Sequence, residues 1–354
     1  MHITKIRLEN FTVFGKMETD CSAGVNVFIG ENGTGKTHLL KLIYTYCEWG
    51  FYYHDGPDDE VAPYHMLDEM FQGESCHELI RKSPDGTIAR ETLLIAFGTG
   101  EGEEVYKVEL FSNQNRIYDT PKYDAYYSPN HSTVGEKVQS QGEPCSVFIP
   151  AKELLTHAGI EKDYMHRKLP LDSTLIEILN KAGVSTLREL PDAMRRIQDR
   201  ISDIIGGKVI YKNDRYYISN SSGVMNAFAV EAEGFKKFGL VYRLIETGNI
   251  KKGSILVWDE PDANLNPKLV PELARILLEL SRNGVQIFLA THDYNLMKYI
   301  SMARNVDDQV MFHSLYKTDD GVVCDRESDY DLLERNPIID ANTKMMEDEI
   351  ERVL

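Results

Sequence analysis

The sequence predicts an α/β fold with a mostly parallel core sheet, on three observations. An apolar segment, 25–29, runs into the glycine-rich turn Gly30-Glu31-Asn32-Gly33-Thr34-Gly35-Lys36-Thr37 and then into a helical pattern. A second apolar segment, 254–258, ends in two adjacent carboxylates, Asp259 and Glu260. Beyond it the patterns alternate: helix 267–281, strand 285–290, helix 294–301. Alternating strands and crossover helices lay the strands parallel and cover both faces of their sheet.

Taken in order, residues 3–9 alternate as a strand up to Asn10-Phe11, and 13–17 reads as a second. The helix opening near Lys36 carries Leu39, Leu40, Ile43 and Tyr44 on one side. Residues 50–145 are acidic, tyrosine-rich and broken by Gly and Pro. Short helices at 64–71 and 76–81 and strands at 92–97 and 104–111, joined by a turn at 98–102, are expected there, with a loop over 118–142. Strand 146–149 stops at Pro150. A helical pattern covers 172–205, and Asn213-Asp214 turns a hairpin between 209–211 and 216–218. A helix over 234–246 leads to the second apolar strand, and the tail carries a hairpin at 310–325 and a charged helix near 343–353. Four regions result: 1–150, holding the glycine-rich turn and the 50–145 insertion; a helical lobe with a hairpin, 151–233; a second core portion, 234–305; and a terminal hairpin and helix, 306–354.

The chain has 354 residues, 42% of them hydrophobic, enough for a substantial core. It carries 39 basic and 56 acidic residues, so its net charge is 39 − 56 = −17. That balance argues against a protein that coats nucleic acid with its whole surface. The basic pairs Arg195-Arg196, Lys236-Lys237 and Lys251-Lys252 read as solvated faces. Five cysteines, scattered and without a CxxC pair, argue against a zinc site or a disulfide framework. The N-terminus lacks a signal-peptide pattern, and no stretch approaches the ~20 apolar residues of a membrane span, so a cytoplasmic address is expected.

The run from Gly30 to Thr37 fits GxxxxGK[ST] between a strand and a helix. Its glycines let the backbone wrap a phosphate chain with N–H groups pointing inward, and the helix start adds a partial positive charge. Gly30, Asn32, Gly33, Thr34 and Gly35 are the expected cradle. Lys36 is placed to reach the β- and γ-phosphates and Thr37 to ligate Mg2+. Strand 254–258 delivers Asp259 and Glu260 to the sheet edge where ligands bind in such folds. Asp259 is expected in the Mg2+ shell and Glu260 to polarise an attacking water. Asn264-Leu265-Asn266-Pro267 follows. His292, just past strand 285–290, is placed to sense a γ-phosphate.

In this order the elements resemble the Walker A, Walker B, D-loop and H-switch of ABC-type ATPases. The opening Ile6-Arg7-Leu8-Glu9-Asn10-Phe11 resembles the first strand of RecF and SMC heads. Ile149-Pro150-Ala151-Lys152-Glu153 and the run from Asp259 to Pro267 resemble ATPases of bacterial phage-defence operons, OLD-like proteins included. The resemblance spans residues 1–48 and 228–305. It implies an ABC-type head with a RecA-like core sheet, an N-terminal antiparallel β subdomain and a helical lobe. No heptad run supports a long coiled coil. It further implies ATP and Mg2+ as ligands, Asn264 among the nucleotide-binding residues, and two copies closing around ATP as a homodimer or higher homo-oligomer. The signature slot then reads Glu231-Ala232-Glu233-Gly234-Phe235-Lys236-Lys237. Glu233-Gly234 fits this branch, but Ala232 stands where a serine is usual. That leaves backbone N–H groups at Gly234 to grip the opposite subunit's nucleotide. Gln139 and Gln141 precede a strand, whereas the Q-loop follows one, so neither is assigned.

The reading that follows is an ATPase whose closure gates a separately encoded, nuclease-like effector in phage defence, since the tail after His292 is too short for a nuclease domain. A RecF-like repair ATPase that binds DNA is the alternative. Glu260 argues against a site that only binds ATP, and the Asn10-Phe11 start and the Glu233-Gly234 slot against a transporter's subunit.

Overall fold

The computed structural model describes residues 2–52, 67, 69–71, 76–81, 91–99, 102–110, 146–153, 155–167 and 171–353. Along them run β1 (His2–Glu9), β2 (Lys16–Asp20), β3 (Val25–Gly30), α1 (Lys36–Tyr52), β4 (Glu91–Thr99), β5 (Gly102–Leu110) and β6 (Ser146–Ile149). Next come α2 (Ile160–Arg167), α3 (Ser173–Gly183) and α4 (Asp192–Ile205), then β7 (Lys208–Lys212), β8 (Arg215–Ser219) and β9 (Met225–Ala227). The chain continues through α5 (Glu233–Glu246), β10 (Ile255–Asp259), α6 (Val270–Arg282), β11 (Gln286–Ala290) and α7 (Tyr294–Ala303). It ends with β12 (Val310–Thr318), β13 (Gly321–Glu327) and α8 (Pro337–Val353).

The core sheet has the order β13-β12-β3-β11-β10-β6, parallel from β12 to β6 with β13 antiparallel at one edge. Every residue of β3, β6, β10 and β11 is buried, because helices cover both faces. Alternate side chains go to opposite sides. Val27, Ile29, Leu256, Trp258, Ile287 and Leu289 pack toward α5 and α6, against Leu244, Leu273 and Leu277. Phe28, Val257, Phe148, Phe288 and Ala290 pack toward α1, against Leu39, Leu40 and Ile43. The parallel sheet thereby sets the C-terminal ends of β3, β10 and β11 side by side.

A second, antiparallel sheet, β2-β1-β4-β5, forms beside it from the N-terminal strands, and β7-β8-β9 makes a small third sheet. The strand expected at 13–17 starts later, at Lys16. Residues 10–15 form a loop instead, with Asn10 and Thr12 at positive φ (59° and 48°) and Phe14 N–H bonded back to the Phe11 carbonyl. The helical run expected over 172–205 is two helices. Asp172 caps α3, and α4 starts only after Pro191. The charged helix near 343–353 begins earlier, at Pro337, while α2 and β9 carry too few patterned residues to be legible. Residues 67 and 69–71 are helical and 76–79 form a 3-10 turn. The loop expected over 118–142 and positions 64–66 and 68 of the first expected helix lie outside the described residues.

α1 is tied to the helical lobe by a polar network. Lys181 of α3 donates to Glu48 Oε1 (2.9 Å), Tyr44 OH (2.9 Å) and the Ser146 carbonyl (2.6 Å), while Lys41 pairs with Asp172.

His313 of β12 lies fully buried against β3, its ring stacked on Phe28 at 4.5 Å. Its Nε2 is 3.3 Å from Asn26 Oδ1 and its Nδ1 3.0 Å from Thr19 Oγ1. The Asn26 oxygen only accepts, which assigns the proton to Nε2 and leaves Nδ1 to accept from Thr19. Burial, with the Arg326 charge second, holds the ring neutral down to about pH 3. The unfolded chain takes up this proton near pH 6.5, so this group's contribution is complete above that value and is lost as pH falls toward 3. One such group costs about 2 kcal/mol between pH 7 and pH 5. Urea unfolding of His313→Gln is therefore expected to show a weaker pH dependence over that interval than the parent. Equal slopes would remove His313 as the cause.

Candidate functional site

The phosphate-loop geometry begins at the end of β3. Gly30 has φ 153°, and a Cβ there would lie 2.5 Å from the Leu315 carbonyl of β12. Gly35 has φ 83°, and a Cβ would lie 2.7 Å from Val13 Cγ2 and 2.8 Å from the Phe14 ring. Close approach and left-handed backbone thus both require glycine. Thr34 Oγ1 donates to the Glu31 carbonyl at 2.8 Å and braces the turn. Lys36 opens α1, and its ammonium folds back into the loop, donating to the carbonyls of Gly30 (2.7 Å) and Glu31 (3.0 Å). Burial lowers its proton affinity, and the charges of Glu260 and Asp259 oppose that shift.

β10 brings the carboxylates to the same edge. Thr37 Oγ1 donates to Asp259 Oδ2 at 2.8 Å. Burial raises the Asp259 pKa, the Thr37 hydrogen bond lowers it, and the neighbouring Glu260 charge raises it again. A hydroxyl and a carboxylate meeting at the head of a helix form a hard oxygen donor pair of the kind that suits Mg2+, which keeps most of its ligands as water and phosphate.

Glu260 sits just past the strand with φ 46°, a conformation costly for a residue with a side chain. Its N–H reaches across to the Ala290 carbonyl of β11 (3.0 Å), and its own carbonyl accepts from Ala263 (3.1 Å). Its carboxylate lies 3.3 Å from His292 Nδ1, the two side chains being 33% and 54% exposed and so open to a ligand. Asp262 accepts from Thr291 Oγ1 (2.6 Å), which in turn accepts from the Asp293 N–H (2.9 Å). Burial raises the Asp262 pKa and the Thr291 bond lowers it. This pair locks the turn after β10 to the turn after β11. Asn264, at φ 60°, continues the former, and Asn266 caps the 3-10 turn before α6.

The signature slot forms the tip of α5. Ala232 occupies the N-cap without a side-chain hydrogen bond. Glu233 follows, and Gly234 packs so closely on the turn carrying Asn264 that a Cβ would meet Leu265 Cδ1 at 2.8 Å. Lys236 and Lys237, expected on a solvated face, are both buried. Lys236 Nζ lies 2.8 Å from Glu233 Oε1 and 4.0 Å from Glu153 Oε2. Lys237 Nζ donates to the carbonyls of Glu260 (2.9 Å) and Pro261 (3.4 Å). The strand that Gln139 and Gln141 precede is β6, and the residues that follow it, Pro150-Ala151-Lys152-Glu153, include no glutamine. Sequence reasoning missed Glu153, Asp262, Thr291 and Lys237 as site residues, although the runs holding Glu153 and Asp262 were already conspicuous.

The loop around Lys36, the Asp259–Glu260 pair and His292 thus stand at the ends of three neighbouring strands, β3, β10 and β11. A family profile described as "AAA domain" matches residues 5–215, more than half of the chain. The chain belongs to this AAA-domain family. A second profile, described as "AAA domain, putative AbiEii toxin, Type IV TA system", matches residues 161–298. Among curated proteins, the DNA replication and repair protein RecF of Cytophaga hutchinsonii is 51% identical over 47 residues. That stretch is 13% of this chain and 12% of RecF, so the chain matches about an eighth of that relative's length. Among solved structures, the SMC head domain from Thermotoga maritima matches with a TM-score of 0.53 and 16% identity, over 92% of this chain and 98% of that one. The Pyrococcus furiosus Smc head with an extended coiled coil, bound to the C-terminal domain of ScpA, matches with a TM-score of 0.55 and 11% identity, over 98% and 99%. The chain is therefore an AAA domain, an ATP-binding ATPase domain, with the fold of an SMC head and a local sequence similarity to RecF. Among its described residues, no helix is long and apolar enough to cross a membrane.

Proposed function

We propose that this chain is an ATP-hydrolysing head that closes on a second copy of itself around ATP, and that closure gates a separate effector protein. The gathering of Thr37, Asp259, Glu260 and His292 around the Lys36 loop carries this reading. Bound ATP would take over the Lys36 ammonium from the Gly30 and Glu31 carbonyls, and the loop N–H groups and the α1 start would hold its phosphates. Thr37 and Asp259 would hold Mg2+, which would neutralise part of the phosphates' charge. Glu260 would accept a hydrogen bond from the attacking water and align it. His292, 3.3 Å from Glu260, would hold that carboxylate and contact the γ-phosphate. The second copy would complete the pocket with the tip of its α5, at Glu233 and Gly234, and with the turn carrying Asn264 on which that tip packs. Without the serine hydroxyl, its grip relies on backbone N–H groups. Contacts made only in the closed state are what make closure depend on ATP. The division at residues 150, 233 and 305 follows from this reading, with the α5 tip opening the third region.

Phosphate release in the presence of ATP and Mg2+ tests the proposal. Turnover abolished by chelation is expected, and a protein that binds ATP without releasing phosphate would overturn hydrolysis as its activity. The P. furiosus Smc head is bound to ScpA, which supports a protein partner for this head; a nuclease-like effector in phage defence is the partner we favour.

The RecF similarity favours a second reading, an ATPase whose loaded state binds DNA. Such binding would be carried by phosphate contacts and would weaken about tenfold or more between 50 and 200 mM salt. Gel-shift titrations of duplex DNA with ATP decide it. No shift, or one insensitive to salt, leaves the protein-partnered head.

A further inference from the structure

The signature helix reaches back into its own subunit's catalytic turn, through a buried lysine that no nucleotide contact explains. Lys237 stands one turn into α5 and is only 6% exposed. Its ammonium donates to two backbone carbonyls, Glu260 at 2.9 Å and Pro261 at 3.4 Å. The nearer carbonyl belongs to Glu260, whose carboxylate faces His292 and whose backbone is held at φ 46°, and the other to the residue that follows it. A left-handed conformation at a glutamate persists only when its surroundings over-determine it. Three contacts do so here: the Glu260 N–H to Ala290, the Ala263 N–H to the Glu260 carbonyl, and the Lys237 ammonium on that same carbonyl. Only the last comes from outside the two strands' own turns. It is also charge-assisted, which makes it the strongest of the three.

We propose that Lys237 is a positioning residue that fixes the Glu260 backbone to the α5 helix, so that nucleotide gripped by the tip of α5 in one composite site sets the carboxylate of the other. The inference rests on the two-copy ATPase reading above. Gly234 of the α5 tip and Lys237 lie three residues apart on one rigid helix, and the tip packs directly on Leu265 of the turn that Glu260 begins. A shift of the tip toward the partner's phosphates therefore moves Lys237, and with it the Glu260 carbonyl. Lys236 on the same turn is paired with Glu233 and lies 4.0 Å from Glu153, beyond the neighbouring strand β6, so the helix is referenced to the end of β6 as well as to β10. Lys237 touches neither water nor phosphate in this scheme. Its effect is on whether Glu260 points at the reacting water, which changes turnover without changing ground-state ATP affinity.

Three variants test it: Lys237→Met, which keeps the length and apolar stem; Lys237→Gln, which keeps a donor with shorter reach; and Lys237→Arg, which keeps the cation. ATP affinity is measured at equilibrium and steady-state hydrolysis over a range of ATP concentrations, with thermal melts as a check on the fold. The Met and Gln variants are expected to bind ATP within about threefold of the parent while kcat falls at least about tenfold, the scale of one lost charge-assisted hydrogen bond. The Arg variant is expected to recover most of that kcat. The parent is expected to hydrolyse ATP cooperatively and the Met variant without cooperativity. A folded Met or Gln variant with parental kcat would overturn the positioning, as would a loss of ATP affinity in step with kcat in every folded variant. Hyperbolic kinetics in the parent would overturn the coupling. Failure of the ATPase reading itself is distinct, because the parent would then release no phosphate.

Discussion

Lys36→Ala is expected to weaken ATP binding by at least about a hundredfold, the scale of two charge-assisted hydrogen bonds lost together. The ammonium enters the loop from the start of α1 and is held there by the carbonyls of Gly30 and Glu31, at 2.7 and 3.0 Å. In the loaded state proposed above, these bonds would be exchanged for bonds to phosphate oxygens. Removing the side chain leaves the nucleotide's phosphates beside Asp259 and Glu260 without the lysine's compensating charge. Lys36→Arg should not rescue, because a planar guanidinium does not fit a loop shaped around a single ammonium. Calorimetric titration with ATP reads the affinity, and a melt reports whether the loop carbonyls, newly without a donor, have cost stability. A variant that binds ATP as the parent does would end the phosphate-loop assignment.

What was legible in the sequence was what the chain keeps local. The turn from Gly30 to Thr37 is one uninterrupted run between a strand and a helix, and its glycines are needed at the backbone angles now seen at Gly30 and Gly35. Asp259 and Glu260 are adjacent, and their strand is apolar along its whole length because both faces of the sheet are covered. His292 required one further step, that β11 lies beside β10, and the order of alternating elements supplies that step. Tertiary pairings were not legible. Lys236-Lys237 has the composition of a surface, and only the packing of α5 against the ends of β6 and β10 buries it. Its partners, Glu153 and the Glu260 and Pro261 carbonyls, are distant in sequence or lie in the backbone, where sequence gives no sign of them. The loop at 10–15 misled for a related reason. Val13, Phe14 and Met17 have the apolar composition of a strand, yet Val13 and Phe14 pack on Gly35 of the phosphate loop, which is possible only because the backbone turns at Asn10 and Thr12.

Glu260→Gln is expected to bind ATP with unchanged or higher affinity, to hydrolyse it about a hundred- to a thousandfold more slowly, and to accumulate as a closed dimer. The amide preserves the shape of the side chain and the backbone bonds from Ala263 and Lys237, so the loop and the α5 tip remain in place. What is removed is the negative charge, which does two things in the parent. It accepts the hydrogen bond that aligns water, and it repels the γ-phosphate and the nearby Asp259. Loss of the first slows the chemistry, and loss of the second favours the loaded state. An ATPase that opens only after hydrolysis must then stay closed. Light scattering in ATP and Mg2+ is expected to give twice the monomer mass for Glu260→Gln and the monomer mass for the double variant Lys36→Ala with Glu260→Gln, because closure without bound phosphate has nothing for the α5 tip to grip. Parental turnover in Glu260→Gln would remove this carboxylate from the reaction. A monomer in saturating ATP, with slow turnover retained, would leave the carboxylate in its role and remove the second copy from the pocket.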